Sequence, residues 1–329
     1  MILEHLFMNS LVPQPSEDVH PALVYLASLT SGESRRTMRN ALNSITDIVA
    51  ADLKRELPEE QQQERYQLIL WSALRYPHVQ AIRAELMRYY APATTNKILS
   101  ALRGVLEAAY NLGQISAEDY QRAVQVKNVR GETIPAGRDL KMGELRALVE
   151  VCQEDADKSP AGVRDAAIIG VLYICGLRRA ELVALDVDDF NAQDGTLTIR
   201  GGKGHKQRLT YVTGGALTAL KAWLTERGAQ SGALFTPIQK GGKIVIRRMT
   251  AQAVYLMLKK RAEQADVADF SPHDMRRTFV GDLLDRGADI VTVSKLAGHS
   301  DVKTTARYDR RPEDAKRKAA ELLHFPFDT

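Results

Sequence analysis

The stretch that most constrains this chain runs from 126 to 139, Val-Lys-Asn-Val-Arg-Gly-Glu-Thr-Ile-Pro-Ala-Gly-Arg-Asp, where all hydrophobic periodicity stops. Gly131, Pro135 and Gly137 punctuate it, and such a run reads as a linker between domains. The chain has 329 residues, 44% of them hydrophobic, enough to bury a core on either side of the break. The expected organisation is an N-terminal extension (1–20, interrupted by Pro13, Pro15 and Pro21), a first domain (21–125), the linker (126–139) and a second domain (140–329).

The two sides differ in pattern. From Pro21 to Tyr120 apolar residues recur at helical spacing and no strand signal intervenes, which predicts an all-α domain. Leu42, Ile45, Ile48 and Val49 mark one helix, Tyr66–Tyr76 a short one, and His78–Tyr89 another that Pro92 stops. Thr94-Thr95-Asn96 offers a cap for Lys97–Leu112, which Gly113 ends. In the second domain, helices are expected over Lys141–Val151, Ala161–Ile174, Arg178–Leu185, Gly215–Arg227, Thr250–Ala265, after Ser271, Asp289–Leu296, Lys303–Tyr308 and Pro312–Leu323. Thr196–Arg200 and Arg208–Val212 alternate like paired strands, and Ile244–Ile246 reads as a third short one. The predicted class is mainly α with a small antiparallel β-sheet in the C-terminal domain, α+β.

Charge narrows the partners. Residues 1–130 carry 14 Lys and Arg against 14 Asp and Glu, so the net charge of +4 arises wholly in residues 131–329. A basic excess confined to one part hints at a polyanion there. The two cysteines, Cys152 and Cys175, have no metal-ligand spacing and fit a reducing compartment. The longest uncharged apolar run, Ala166–Leu177, is too short to span a bilayer, and the first residues lack the pattern of a secretory signal. A cytoplasmic protein without membrane contact is expected.

Four stretches carry groups suited to phosphate chemistry. In Gly176-Leu177-Arg178-Arg179-Ala180-Glu181, Arg178 and Glu181 share a helix face, and the apolar flank predicts a buried Arg178 in need of an anion. Gly201-Gly202-Lys203-Gly204 places an unhindered Lys at a hairpin tip, without P-loop spacing. Ser271-Pro272-His273-Asp274-Met275-Arg276 sets an imidazole and a guanidinium in the first turn of a helix with a capping box, where free N–H groups also favour an anion. Gly298-His299 is followed nine positions later by Tyr308, with Thr304-Thr305 between. Each stretch alone reads as readily as an ordinary ion pair, hairpin, helix start or half-buried aromatic. Together they supply what phosphoryl transfer needs: bidentate donors, proton carriers and a nucleophile. Asp186, Asp188 and Asp189 read as solvated loop acids rather than a metal cluster.

Taken in this order, Gly-Leu-Arg178-x-x-Glu181-Leu, Gly-Lys203-Gly-x-Lys, His273-x-x-Arg276 and Gly-His299-Ser with Tyr308 resemble the tyrosine recombinase family of phage-type integrases and Xer-like resolving enzymes, over residues 140–310. Residues 21–125, notably 93–103, are similar to that family's helical, SAM-like core-binding domain. The resemblance implies a two-domain, C-shaped clamp on duplex DNA and site-specific recombination, that is integration, excision or resolution, through a Holliday junction. Tyr308 would form a 3′-phosphotyrosyl bond, Arg178 and Arg276 would hold the scissile phosphate, and Lys203 would protonate the leaving oxygen. His273 would serve as acid/base, His299 as a donor to the phosphate, and Glu181 as support. No metal and no cofactor are implied. The implied assembly is a homotetramer on DNA through exchange of the C-terminal helix, whose Leu322, Leu323, Phe325 and Phe327 give it an apolar face. Accessory DNA-bending proteins and association with the nucleoid fit the same picture. Arg277 stands where the family often has His. A type IB topoisomerase-like relaxing enzyme would use the same groups, and a catalytically dead DNA-binding regulator is the rival from another class. Outside the site, Arg35, Arg36, Arg39, Lys97, Arg103, Lys206, Lys240, Lys243, Arg247 and Arg248 are the expected DNA contacts.

Overall fold

The computed structural model describes residues 19–52, 56–57, 62–131, 137–200, 207–309 and 320–321. The chain divides into two compact units, Met1–Pro135 and Ala136–Thr329. Residues 1–18 of the N-terminal extension, Lys203, Lys206 and nearly all of the expected last helix lie outside the described residues.

The first unit is helical among its described residues: α1 (Pro21–Ser28), α2 (Gly32–Asp52), α3 (Tyr76–Tyr89), α4 (Pro92–Asn111) and α5 (Ala117–Val124). Its core joins Leu42, Ile45, Ile82, Leu102 and Leu106, from the apolar faces of α2, α3 and α4, with Trp71 from the segment between α2 and α3. Two details differ from the sequence expectation. Tyr66–Tyr76 is two short 3-10 turns, Arg65–Leu68 and Trp71–Ala73, because Trp71 turns inward and donates its indole N–H to the Tyr66 carbonyl at 2.8 Å. α4 starts at Pro92 with Ala91 as its cap, so the proline opens this helix instead of preceding a threonine cap.

The expected linker is anchored at both ends. Asn96 holds Val129 through two hydrogen bonds, and Arg103 donates to the Val126 carbonyl at 2.6 Å, so 126–129 belong to the first unit. Beyond it, the Arg138 N–H donates to Asp274 at 3.0 Å and its side chain pairs with Glu144, within the second unit.

The second unit holds α6 (Met142–Ala156), α7 (Pro160–Cys175), α8 (Arg179–Ala184), β1 (Thr196–Ile199), β2 (Arg208–Tyr211), α9 (Gly214–Arg227), α10 (Ala251–Gln264), α11 (Pro272–Asp285), α12 (Ile290–Ala297) and α13 (Val302–Ala306). α7 is apolar on most sides because it is central, packed by α6, α9 and α11. Its Ile168, Ile169 and Leu172 meet Leu220, Trp223 and Leu258 in the core. β1 and β2 pair antiparallel, Thr196 opposite Tyr211 and Ile199 opposite Arg208. Ile244 makes only an isolated bridge to Ile238, so the third strand expected at 244–246 does not form. A smaller cluster, Phe279, Val280, Leu284, Val293 and Ala297, packs α12 on α11 and receives one side of Tyr308.

Candidate active site

The apolar drive that buries α7 delivers its C-terminus to the site. Gly176 closes α7 with φ +56°, a left-handed conformation open to glycine, and a Cβ there would clash with the Phe279 ring. The chain then reverses into α8, with Arg178 at the N-cap. Glu181, three residues on, accepts the Arg178 backbone N–H at 2.8 Å and its guanidinium at 2.8 Å. Arg178 also reaches the Gly298 carbonyl at 3.1 Å. Its side chain is 48% exposed, so the burial expected for it is not found. The cap position turns it outward, while Arg276 takes the buried place at 3% exposure.

Arg276 comes from the first turns of α11. Ser271 and Asp274 close the capping box expected from the sequence, the Ser271 N–H donating to Asp274 at 2.8 Å. Arg276 donates to the Gly176 carbonyl at 2.7 Å and lies 4.0 Å from Glu181. Its Nη2 is buried with no hydrogen-bond partner among the described residues. Burial and the neighbouring charges of Arg178 and Arg208 lower its pKa to about 10, against the opposing pull of Glu181, and it stays cationic.

Arg208 was read from sequence only as the start of a strand. It grips both oxygens of Glu181, at 3.0 and 2.9 Å, and donates its Nε–H to the Leu296 carbonyl at 3.0 Å. This fork ties β2, α8 and the end of α12 together, with bidentate geometry specific to arginine. Burial pushes the Glu181 carboxyl up, but the hydrogen bonds from Arg208 and the Arg178 N–H and both cationic charges outweigh it and hold it at about 2. Three guanidinium groups therefore surround one carboxylate.

The remaining groups sit beside this cluster. Gly298 ends α12 at φ +67°, and a Cβ there would press within 2.7 Å of the Arg208 guanidinium, so the turn into His299 requires glycine. His299 Nδ1 is 2.8 Å from the Thr305 hydroxyl. Tyr308 follows α13 directly, its hydroxyl 3.2 Å from His273 Nε2 and its ring stacked near His299, with centroids 6.2 Å apart. Arg277 lies over the same ring and pairs with Asp139 at 3.3 Å. Burial, then the charge of Arg276, lowers the His273 pKa; burial and the charges of Arg276 and Arg178 lower that of His299 to about 4. Both imidazoles are thus neutral near pH 7.

The structure thus gathers Arg178, Glu181, His273, Arg276, His299 and Tyr308, adds Arg208, and leaves Lys203 outside the described residues. Of the three loop acids only Asp188 is exposed as expected: Asp189 is 4% exposed, caps the Asp186 N–H at 2.9 Å and pairs with Arg200, while Asp186 pairs with Arg248. Among the described residues no group of three or more His, Cys, Asp or Glu is placed to hold a metal ion. No helix among them is long and apolar enough to cross a membrane. Both cysteines are buried, which pushes their thiols up to about 12.

Away from the site, Arg35, Arg36 and Arg39 line a cleft of about 700 Å³ in the first unit with Asn40, Ser44 and Arg65. Lys97, Lys240, Lys243 and Arg247 are exposed. Arg103 and Arg248 are engaged by carbonyls at Val126 and Val183.

The fold and site define a class of protein in which a helical unit is followed by one that gathers arginines, histidines and a late tyrosine. The Phage integrase family matches residues 138–314, more than half of the chain. Tyrosine recombinase XerD of Pseudomonas aeruginosa is 34% identical over 226 residues, 67% of this chain and 71% of that protein. Tyrosine recombinase XerA of Pyrococcus furiosus is also 34% identical, over 179 residues that make 54% of this chain and 58% of that one. The chain belongs to the phage integrase family, the tyrosine recombinases. Its fold is also that of the XerH site-specific recombinase solved with its palindromic DNA substrate, with a TM-score of 0.62 at 18% identity, covering 94% of this chain and 98% of that one.

Proposed function

We propose that this protein recombines duplex DNA at specific sites, breaking and rejoining strands through a covalent bond to Tyr308. The observation that carries the reading is the buried Nη2 of Arg276, without a hydrogen-bond partner among the described residues, within a cluster of three guanidinium groups and one carboxylate. A buried donor left unmade is costly, and surplus cation around one carboxylate favours an anion with several acceptor oxygens. A phosphodiester fits that demand, with Tyr308 alongside.

The geometry supports the following course of reaction. Arg178 and Arg276 hold the non-bridging oxygens and stabilise the charge that grows on them. Glu181, clamped by Arg208, positions Arg178. The Tyr308 oxygen attacks phosphorus while neutral His273, 3.2 Å away, takes the phenolic proton. The bond from phosphorus to the 5′ oxygen breaks, and that oxygen leaves with a proton for which Lys203 is the proposed donor. The 3′ phosphate is now esterified to Tyr308, so the energy of the broken bond is kept. A 5′-hydroxyl from another duplex reverses the steps and completes exchange.

Several features rest on family membership and are part of the proposal. The two units would embrace duplex DNA as a C-shaped clamp, with 21–125 as the core-binding domain, 140–329 as the catalytic domain, and Arg35, Arg36 and Arg39 towards phosphates. Four copies would act on two sites through a Holliday junction, joined by their C-terminal segments, in the cytoplasm and on the nucleoid, with accessory bending proteins where the DNA requires them. The test is a supercoiled plasmid bearing two copies of the DNA flanking the protein's own gene. Recombinant circles are expected. Relaxed plasmid without recombinants over random sequence would point to a topoisomerase, and binding with neither product to a regulator.

A further inference from the structure

The Thr-Thr pair between His299 and Tyr308 has one member facing inward. Thr305 is 0% exposed, while its neighbour Thr304 is partly exposed. Buried threonines in helices commonly turn the hydroxyl back to the carbonyl four residues earlier, as Thr46 does to Leu42 at 3.2 Å and Thr278 to Asp274 at 2.8 Å. Thr305 is different. Its hydroxyl lies 2.8 Å from His299 Nδ1, and its backbone carbonyl accepts the Tyr308 N–H at 2.9 Å. One residue thus touches both the imidazole and the tyrosine segment.

We propose that Thr305 is a positioning residue whose hydroxyl donates to His299 Nδ1, placing the single ring proton of a neutral His299 on Nε2, while its carbonyl holds Tyr308 in register with that ring. This deepens the recombinase reading above and rests on it for the role of His299. The reasoning is one of proton inventory. A neutral imidazole has one N–H and one bare nitrogen. His299 sits among Arg178, Arg208, Arg276 and His273, none of which favours a second proton on it. If the ring is to donate to a phosphate oxygen through Nε2, Nδ1 must be bare and needs a donor. A backbone carbonyl in that place would enforce the opposite tautomer, as it accepts only. A hydroxyl meets the need, and its burial in α13 removes competing water.

The test uses full-length protein with histidine labelled in nitrogen-15, as wild type, Thr305→Val and Thr305→Ser. Nitrogen-15 NMR of the DNA-free proteins reads the His299 tautomer, and single-turnover cleavage with a separate DNA-binding titration reads the consequence. Wild type is expected to show the proton on Nε2. Thr305→Val, similar in shape but without a donor, is expected to move it towards Nδ1 and slow cleavage about tenfold at unchanged DNA affinity, the scale of one lost hydrogen bond. Thr305→Ser restores the hydroxyl and is expected to recover most of both signals. A wild-type ring protonated on Nδ1, or Thr305→Val with wild-type tautomer and cleavage, overturns the proposal. So does Thr305→Ser as impaired as Thr305→Val, which would mean that the methyl group and packing matter. If wild type forms no DNA adduct at all, the recombinase reading is what fails, and the tautomer measurement still decides the Thr305 contact.

Discussion

Two clusters of arginines stand within the second unit, and they are built on opposite plans. At the centre, Asp165 on α7 accepts Arg164 at 2.7 Å and Arg261 at 2.8 Å, and Arg261 also reaches Asp155 at 2.7 Å. Two guanidinium groups face two carboxylates, and Gln264 takes a remaining Arg261 donor at 3.0 Å. The charge balances, and the cluster serves to tie α6, α7 and α10. At the rim of the same unit, Arg178, Arg208 and Arg276 share the single carboxylate of Glu181, and one donor of Arg276 is left over. Burying charge is costly unless it is paired. On the proposed function, this imbalance is where the phosphate binds.

The contrast is broken most severely by removing one arginine from each cluster. Arg276→Ala is expected to slow strand cleavage by about 10²–10³-fold, the usual cost of a lost transition-state donor, with little loss of thermal stability because repulsion from Arg178 and Arg208 goes with it. Single-turnover cleavage and a thermal melt read both quantities. Arg261→Met is expected to do the reverse. It leaves Asp155 without its guanidinium and Asp165 with Arg164 alone, costing about 3–5 kcal/mol in denaturant unfolding, while the folded fraction cleaves at the wild-type rate. A smaller effect sharpens the same point. Inorganic sulfate near its binding midpoint and above should raise the melting temperature of wild type by about 2–4 °C, and that of Arg276→Ala by less.

The smallest effect concerns acid. The Glu181 carboxyl is depressed to about 2, so its contribution to stability is complete above the ordinary glutamate range and is lost as pH falls from about 4.5 towards 2. Glu181→Gln should remove that part of the acid dependence. An unchanged acid profile would mean that Glu181 is not the shared anchor.

Much of this site was legible before any coordinates because its motifs are local. Arg178 and Glu181 are one helical turn apart, as are His273 and Arg276, and such spacing translates directly into a shared face. Arg208 was not legible as a site residue. Its partners, Glu181 and Leu296, lie 27 and 88 positions away, and only the β1–β2 pairing brings it to them. The expected burial of Arg178 fails for a related reason. The apolar flank of Arg178 is visible in sequence, but the left-handed turn at Gly176 and the N-cap position that direct its side chain outward are tertiary features. The 3-10 turns at 65–73 answer to the inward Trp71, another tertiary override of a helical pattern.

The account stands most directly on which atom becomes bonded to DNA. The measurement is to incubate the full-length protein with DNA flanking its own gene, quench in SDS, digest, and sequence the nucleotide-linked peptide by mass spectrometry, with Tyr308→Phe alongside. The account predicts a peptide carrying a 3′ phosphate on Tyr308, and DNA binding without any adduct in Tyr308→Phe. An adduct on another residue, or one that persists in Tyr308→Phe, would contradict it.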